Sequence, residues 1–300
     1  MSAGLADRPR VGPGPGTREK GPLPVQRAAV TALGYRHQRV QRLRRLCARR
    51  NARADEGVVV AEGAKVLGEA LRAGVAVESV YLEPAAGPAE RSLAEACLAA
   101  GARVFDLEAG VLARVTATVT PQPVVGVVRA PAWDLPAALA AGAGPLVVLA
   151  GVRDPGNAGT VLRSVDAAGG RAVVSCDGSV DLFNPKTVRA SAGAVFHVAV
   201  VNGAEVGTTL QALGRAGLRR LGAAAHGGVD HLDADLTGAL ALVLGNEASG
   251  LPAQALDGLD GLVTVRLEGR AESLNVGMAA AVLCFEAARQ RRVAQGRSGG

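Results

Sequence analysis

Between residues 145 and 267 six short apolar runs, PLVVLAGV, RAVVSC, AVFHVAVV, RRLGAAA, LALVLG and LVTVRL, alternate with segments of helical spacing. A strand that is apolar throughout must be covered on both faces. Crossover helices do this while keeping neighbouring strands parallel. The alternation therefore predicts an α/β fold with a doubly covered parallel sheet. Ligands of such sheets bind beyond the carboxyl ends of the strands, so polar residues just past each run are where chemistry is expected.

A smaller α/β unit precedes this one. Over 37–130 a basic helix is followed by GVVVAEG, the helical AKVLGEALRAG, then VESVYLEP, AERSLAEACLAAG, RVFDL and PVVGVVRA. Residues 131–144, with prolines and a glycine cluster around a short helical segment, read as a linker, and 145–295 as the second domain. Residues 1–36 are rich in Gly, Pro and Arg without periodicity and read as a flexible basic tail, with a second short tail at 296–300. The GPGPG of 12–16 follows no strand and alternates proline with glycine, so it is not a phosphate-binding loop.

Hydrophobic residues make up 49% of the chain and aromatics 2%. The cores must then be built from Ala, Val and Leu, with backbones close together, and stacking of bases on aromatic platforms is not expected. The net charge of +6 is uneven: residues 1–53 hold 13 Lys+Arg against 2 Asp+Glu. This basic end could neutralise RNA phosphates. It could equally be the solvated face of an amphipathic helix, since Val40, Leu43 and Cys47 recur at helical spacing. Both readings stand on sequence alone.

Cys47, Cys97, Cys176 and Cys284 are far apart, without a CxxC or Cys/His cluster, so no metal site is expected and reduced thiols in a cytoplasmic protein are the simplest reading. No apolar run reaches the ~20 residues of a membrane span. Neither a G-x-G-x-x-G that follows a strand to open a helix nor a G-x-x-x-x-G-K-[ST] occurs, which argues against nucleotide-dependent enzymes of the usual kinds.

Three stretches beyond strand ends carry polar residues. In GVRDPGNAGTVLRSVDAAGG, 151–170, Asp154-Pro155-Gly156 makes a turn, Asn157 can cap the helix, and Ala158, Val161, Leu162 and Val165 form the buried stripe. Arg163 falls off that stripe, either to pair with Asp166 on the surface or to grip a phosphate or developing oxyanion. In LALVLGNEASGLP, 240–252, a strand runs into Gly245, Asn246 and Glu247. In AESLNVGMAAAVL, 271–283, Ser273 and Asn275 flank Leu274 just before a run of small residues suited to a tightly packed helix.

Together these stretches resemble the three motifs of the SpoU branch of the SPOUT superfamily, RNA ribose 2′-O-methyltransferases. Asn157, Gly159 and Arg163 match the first motif, Leu244, Gly245, Glu247 and Gly250 the second, and Ser273 to Val276 the third. NPKTVRASAGAVFHV, 184–198, is similar to the family's segment between the first two. Residues 37–130 more loosely resemble the substrate-binding domain related to ribosomal protein L30e. The resemblance implies a catalytic domain with a C-terminal trefoil knot, S-adenosylmethionine as cofactor, and ribosomal RNA as the favoured substrate, with a transfer-RNA 2′-O-methyltransferase as the alternative. It implies a homodimer that completes its site across the subunit interface. It assigns the catalytic work to Arg163, supported by Asn157, Glu247, Ser273 and Asn275, and sets Gly245, Val265, Leu274 and the loop at Ala225 around the cofactor. A non-catalytic RNA-binding protein is the alternative from another class.

Overall fold

The computed structural model describes residues 32–298 apart from 117 and 119. Most of the expected N-terminal tail, including GPGPG, lies outside the described residues. The chain joins the fold at Leu33, whose N–H donates to Asp106 O at 2.8 Å and whose carbonyl accepts from Glu108 N at 3.2 Å. Residues 33–36 thus belong to the folded unit rather than to the tail.

The expected basic helix is two helices. Arg49 is extended, with φ −119° and ψ 119°, which ends α1 (Gln38–Ala48) and starts α2 (Arg50–Glu56). There follow β1 (Val58–Glu62), α3 (Ala64–Arg72), β2 (Val77–Leu82), α4 (Pro88–Ala99), β3 (Arg103–Asp106), a short α5 (Val111–Val115) that the sequence pattern did not reveal, and β4 (Val124–Arg129). The strands pair in the order β1-β4-β2-β3, antiparallel except between β2 and β3. The segment read as a linker holds α6 (Leu135–Ala140) and is docked: Trp133, Leu135, Ala138 and Leu139 pack into the core beneath the second sheet.

The second unit runs β5 (Leu146–Ala150), α7 (Pro155–Ala167), β6 (Ala172–Cys176), α8 (Pro185–Ala190), β7 (Ala199–Ala204), α9 (Val206–Arg215), β8 (Arg219–Ala223), β9 (Val229–Asp230), β10 (Leu240–Gly245), α10 (Ala253–Leu256), β11 (Gly261–Thr264) and α11 (Val276–Ser298). All six pairings in the order β7-β6-β5-β10-β8-β11-β9 are parallel, as the apolar runs require. One run differs: Ala194–Phe196 of AVFHVAVV is a 3-10 turn, and the strand begins only at Ala199. The left-handed Ala192 (φ 51°) and Gly193 (φ 97°) turn the chain there. At the other end α11 continues through residues 296–298, which were expected to be tail.

Register places the site. Gly245 pairs with Ala150, so β5 and β10 end at the same level and release their following loops side by side. The two units share a core in which Val59, Leu67 and Val128 meet Val188, Val195 and Phe196. Around it, Arg53 binds Asp181 at 2.7 Å and His197 Nε2 lies 3.0 Å from Glu69 Oε2. Gly193 sits against Glu69 so closely that a Cβ would come within 2.4 Å of that side chain.

Candidate active site

The α7 stripe predicted from sequence is fully buried at Ala158, Val161, Leu162 and Val165. This fixes the rotation of α7 and turns Asn157 toward the strand ends. The helix is not capped by Asn157, as expected, but by Asp154, whose carboxylate accepts from Asn157 N at 2.8 Å. Pro155 at the first helical position has no N–H to satisfy, so the cap falls one turn earlier. The Asn157 side chain is thereby free for other partners.

Those partners are the other two motifs. Asn275 caps α11: its Oδ1 accepts from Gly277 N at 2.9 Å and Met278 N at 3.4 Å. With its oxygen committed to backbone donors, its amide nitrogen must donate, and it does so to Asn157 Oδ1 at 2.8 Å. Asn157 is then left with its own amide nitrogen, which donates to Glu247 Oε1 at 2.8 Å. The direction of the chain Asn275→Asn157→Glu247 is set by the N-terminus of α11 and ends on a carboxylate, where a charge-assisted bond is strongest.

Glycines permit this convergence. A Cβ on Gly277 would lie 2.9 Å from Thr160, and one on Gly159 would lie 2.4 Å from Ala190 Cβ, so α7 can press against both α11 and α8. A Cβ on Gly245 would meet Gly250 C and O at 2.4 Å. That turn closes by paired bonds between Asn246 and Gly250, and Asn246 Nδ2 holds Gly151 O at 3.0 Å. The sequence places Asn246 at the end of this strand but gives it no partner; the structure shows it tying the β10 turn to the loop after β5.

A cavity of about 570 Å³ opens beside this network. It is lined by Ala223–His226, the turn 244–251, Val263, Val265, Glu272, Ser273, Leu274 and Val276. Gly245, Val265, Leu274 and Ala225 all border it, with Glu247 and Ser273 at its edge. His226 and Glu272, not singled out from sequence, also face it. Arg163 does not. It is exposed, about 9 Å along α7 from Asn157 and roughly 120° around the axis from it, and no salt bridge holds it among the described residues. The structure thus joins Asn157, Glu247 and Asn275 directly, brings Ser273 beside them, and leaves Arg163 apart within one chain.

This arrangement is an enzyme's: a small-molecule cavity at the strand ends with a polar network on its rim. Residues 144–285 match the SpoU rRNA Methylase family, and residues 37–126 the MRM3-like substrate binding domain. The chain is 34% identical over 225 residues to the 23S rRNA (guanosine(2553)-2′-O)-methyltransferase RlmP of Bacillus subtilis, covering 75% of this chain and 86% of the relative. Its fold is similar to the AdoMet-bound rRNA methyltransferase from Sinorhizobium meliloti (TM-score 0.74, 29% identity, 87% of this chain and 97% of that one). It is also similar to the SpoU methyltransferase AviRb from Streptomyces viridochromogenes (TM-score 0.76, 27% identity, 86% and 99%). The chain belongs to the SpoU rRNA methylase family and is an S-adenosylmethionine-dependent methyltransferase.

The cavity fits that cofactor. Its volume lies within the ~300–1,000 Å³ of small-molecule sites. The bare backbone of Gly245 allows close approach, the walls from Leu244, Leu251, Val263, Val265 and Leu274 are apolar as an adenine requires, and Glu247 and Glu272 suit a cation.

Proposed function

We propose that the protein methylates a ribose 2′-hydroxyl in ribosomal RNA. The observation that carries this reading is the hydrogen-bonded chain Asn275→Asn157→Glu247 on the rim of a cavity bordered by Gly245, Val265, Leu274 and Ala225. When bound, S-adenosylmethionine supplies an electrophilic methyl group. The protein's own task is to hold the hydroxyl in line with that group and to ease the loss of its proton.

Ser273 and Asn275 face the ribose, with Asn157 and Glu247 fixing Asn275 in place. A guanidinium keeps its proton throughout the physiological range. Arg163 therefore acts by gripping the substrate phosphate and stabilising alkoxide character on the attacking oxygen, rather than as a base.

For Arg163 to do so it must come from a second copy of the chain, and the active form is a homodimer. Met278 (60% exposed), Phe285 (49%) and Val293 (42%) recur along one side of α11, an apolar stripe that a partner α11 and α7 would cover. The segment after Gly245 is threaded as a trefoil knot. This is supported by β11 pairing beyond β8 while the chain returns to pack α11 on α7 and β10, crossing the strand ends where the cavity lies.

Residues 37–130 act as an RNA-binding domain, which favours ribosomal over transfer RNA. The enzyme works in the cytoplasm, where that RNA is found; no described helix is long and apolar enough to cross a membrane.

Purified protein, labelled S-adenosylmethionine and unmodified ribosomal RNA, followed by mapping of ribose methylation, test the reading. A single methylated nucleotide that is missing from the RNA of a deletion strain is the expected result. Binding of RNA with no transfer to any nucleotide would overturn it in favour of a non-catalytic binder.

A further inference from the structure

The basic N-terminal stretch sorts, once folded, into two sets of arginines. Arg42 and Arg45 spend the N–H edges of their guanidiniums on Glu56 and Glu78, and Arg53 spends its own on Asp181. Arg39, Arg44 and Arg114 are engaged through their faces instead. Arg39 Cζ lies 4.7 Å from the centroid of the Phe105 ring, and Arg114 and Arg44 lie 3.7 and 5.8 Å from that of Tyr35. All three are exposed, and none takes part in a salt bridge among the described residues.

The difference is chemical. A guanidinium resting on a ring uses its π face and keeps its planar rim of N–H donors for a second partner. The ring also restrains the long side chain, so less freedom is lost when that partner arrives. Two cations sharing the Tyr35 ring repel each other until an anion lies between them.

The arginines share a face. Arg39 and Arg44 are on α1 and Arg114 is on α5; these helices pack together on the side of the first sheet lined by Val58, Val60, Val125 and Val127. The alternate residues Val59, Ala61, Val124 and Val128 face the core shared with the catalytic unit. The arginine face is thus turned away from that unit. Residues 1–31, which lie outside the described residues, hold 5 Lys+Arg against 2 Asp+Glu in sequence.

We propose that Arg39, Arg44 and Arg114, each laid on an aromatic ring with its N–H rim free, form a docking surface for the RNA phosphate backbone on the face of the N-terminal domain opposite the catalytic unit. The proposal rests on the RNA reading above and extends it: the substrate must reach beyond the modified nucleotide and around the smaller domain. Contacts of this kind read charge and spacing, not base sequence.

The test is the affinity of the full chain for a mixed-sequence RNA hairpin, measured over a range of KCl. Arg39, Arg44 and Arg114 are replaced together by Ala, and in a control of equal charge Arg72, Arg91 and Arg215 are replaced by Ala. The first triple variant should bind about 10- to 100-fold more weakly, with the slope of log affinity against log salt reduced by about 2 to 3. The control should stay within about threefold of wild type. Tyr35→Leu, which changes no charge, should weaken binding about two- to fivefold by removing the stack. It also carries the test should the triple variant not fold. Affinity for S-adenosylmethionine should be the same in all.

Equal losses in both triple variants would reduce the effect to net charge and overturn the surface. So would a first triple variant that binds as wild type does. Wild-type protein that takes up S-adenosylmethionine but no RNA would instead overturn the RNA reading, and the surface with it.

Discussion

Asn275 and Asn157, 118 positions apart in the chain, are joined amide to amide at 2.8 Å. This one bond ties the start of the last helix to the start of the first helix of the larger unit, and Glu247 extends it across to the β10 turn. A residue with both a donor and an acceptor is needed in the middle, and asparagine offers both at the right reach.

Asn157→Ala should therefore damage catalysis far more than folding. Two partly exposed hydrogen bonds contribute roughly 1 kcal/mol each to stability. Misplacing Asn275, proposed above to face the ribose, should lower single-turnover methyl transfer by about 100-fold. Affinity for S-adenosylmethionine, measured by calorimetry, should hold within about threefold, because Asn157 does not border the cavity. Asn157→Asp should be worse still, since it sets a second carboxylate against Glu247. Normal turnover in the alanine variant would remove Asn157 from the site.

The glycines divide into two kinds, and substitution should separate them. Gly159→Ala forces a Cβ to 2.4 Å from Ala190, in the packing between α7 and α8, neither residue lining the cavity. It should cost about 1–3 kcal/mol of stability and lower the thermal midpoint, with cofactor affinity little changed in the folded fraction. Gly245→Ala meets the backbone of Gly250 at the cavity wall. Cofactor affinity should fall more than tenfold, beyond whatever is lost in thermal midpoint. If both variants behave alike in the two measurements, the distinction is wrong.

The parallel sheet, the α7 stripe and the placing of Gly245, Val265, Leu274 and Ala225 at the cavity were legible because each depends on local pattern or on a motif. Alternation of apolar runs fixes parallel pairing, and burial of Val161 and Val165 fixes the rotation of α7. What escaped depended on partners distant in sequence. Asn157 looked like a cap because nothing local shows that Asp154 already occupies that role or that Asn275, 118 positions on, lies within hydrogen-bond reach. Asn246, holding Gly151 from 95 positions away, gives no pattern at all. The split of the basic helix at Arg49 was hidden because its helical spacing runs on through the break. The arginine face was hidden for a related reason, since Arg114 comes from α5, which no periodicity announced.

Stability should decline in acid from a definable set of carboxylates. The Arg72 guanidinium, with His197 beside it, holds the Glu69 carboxyl below the ordinary glutamate range, and Arg220 does the same for Asp260. A carboxyl depressed in the folded state stabilises fully above its unfolded value, about 4, and loses that contribution as the pH falls through the folded value. The thermal midpoint should be flat from pH 8 to about 5.5 and fall below about 4.5. Glu69→Gln, at the joint between the two units, should shrink the fall while lowering the midpoint at neutral pH. A midpoint already falling between pH 7 and 5.5 would point to other groups.

Arg163 stands apart from the network in its own chain, and this makes a sharp prediction about where it acts. Arg163→Ala should abolish methyl transfer with cofactor affinity intact. Stability should move by no more than about 0.5 kcal/mol, as for an exposed residue outside the core. Gly245→Val, which fills the cavity wall, should abolish activity through the cofactor instead. When the two dead variants are unfolded together and reassembled, half of the dimers should pair one of each. In such a dimer one site combines an intact cavity from the first protomer with an intact Arg163 from the second. About a quarter of wild-type activity should then return if Arg163 serves its partner's cavity. If Arg163 serves its own cavity, every site carries one lesion and no activity returns; light scattering of the same mixture establishes that dimers have formed, so silence in a dimeric mixture would place the arginine in cis and reject the shared site.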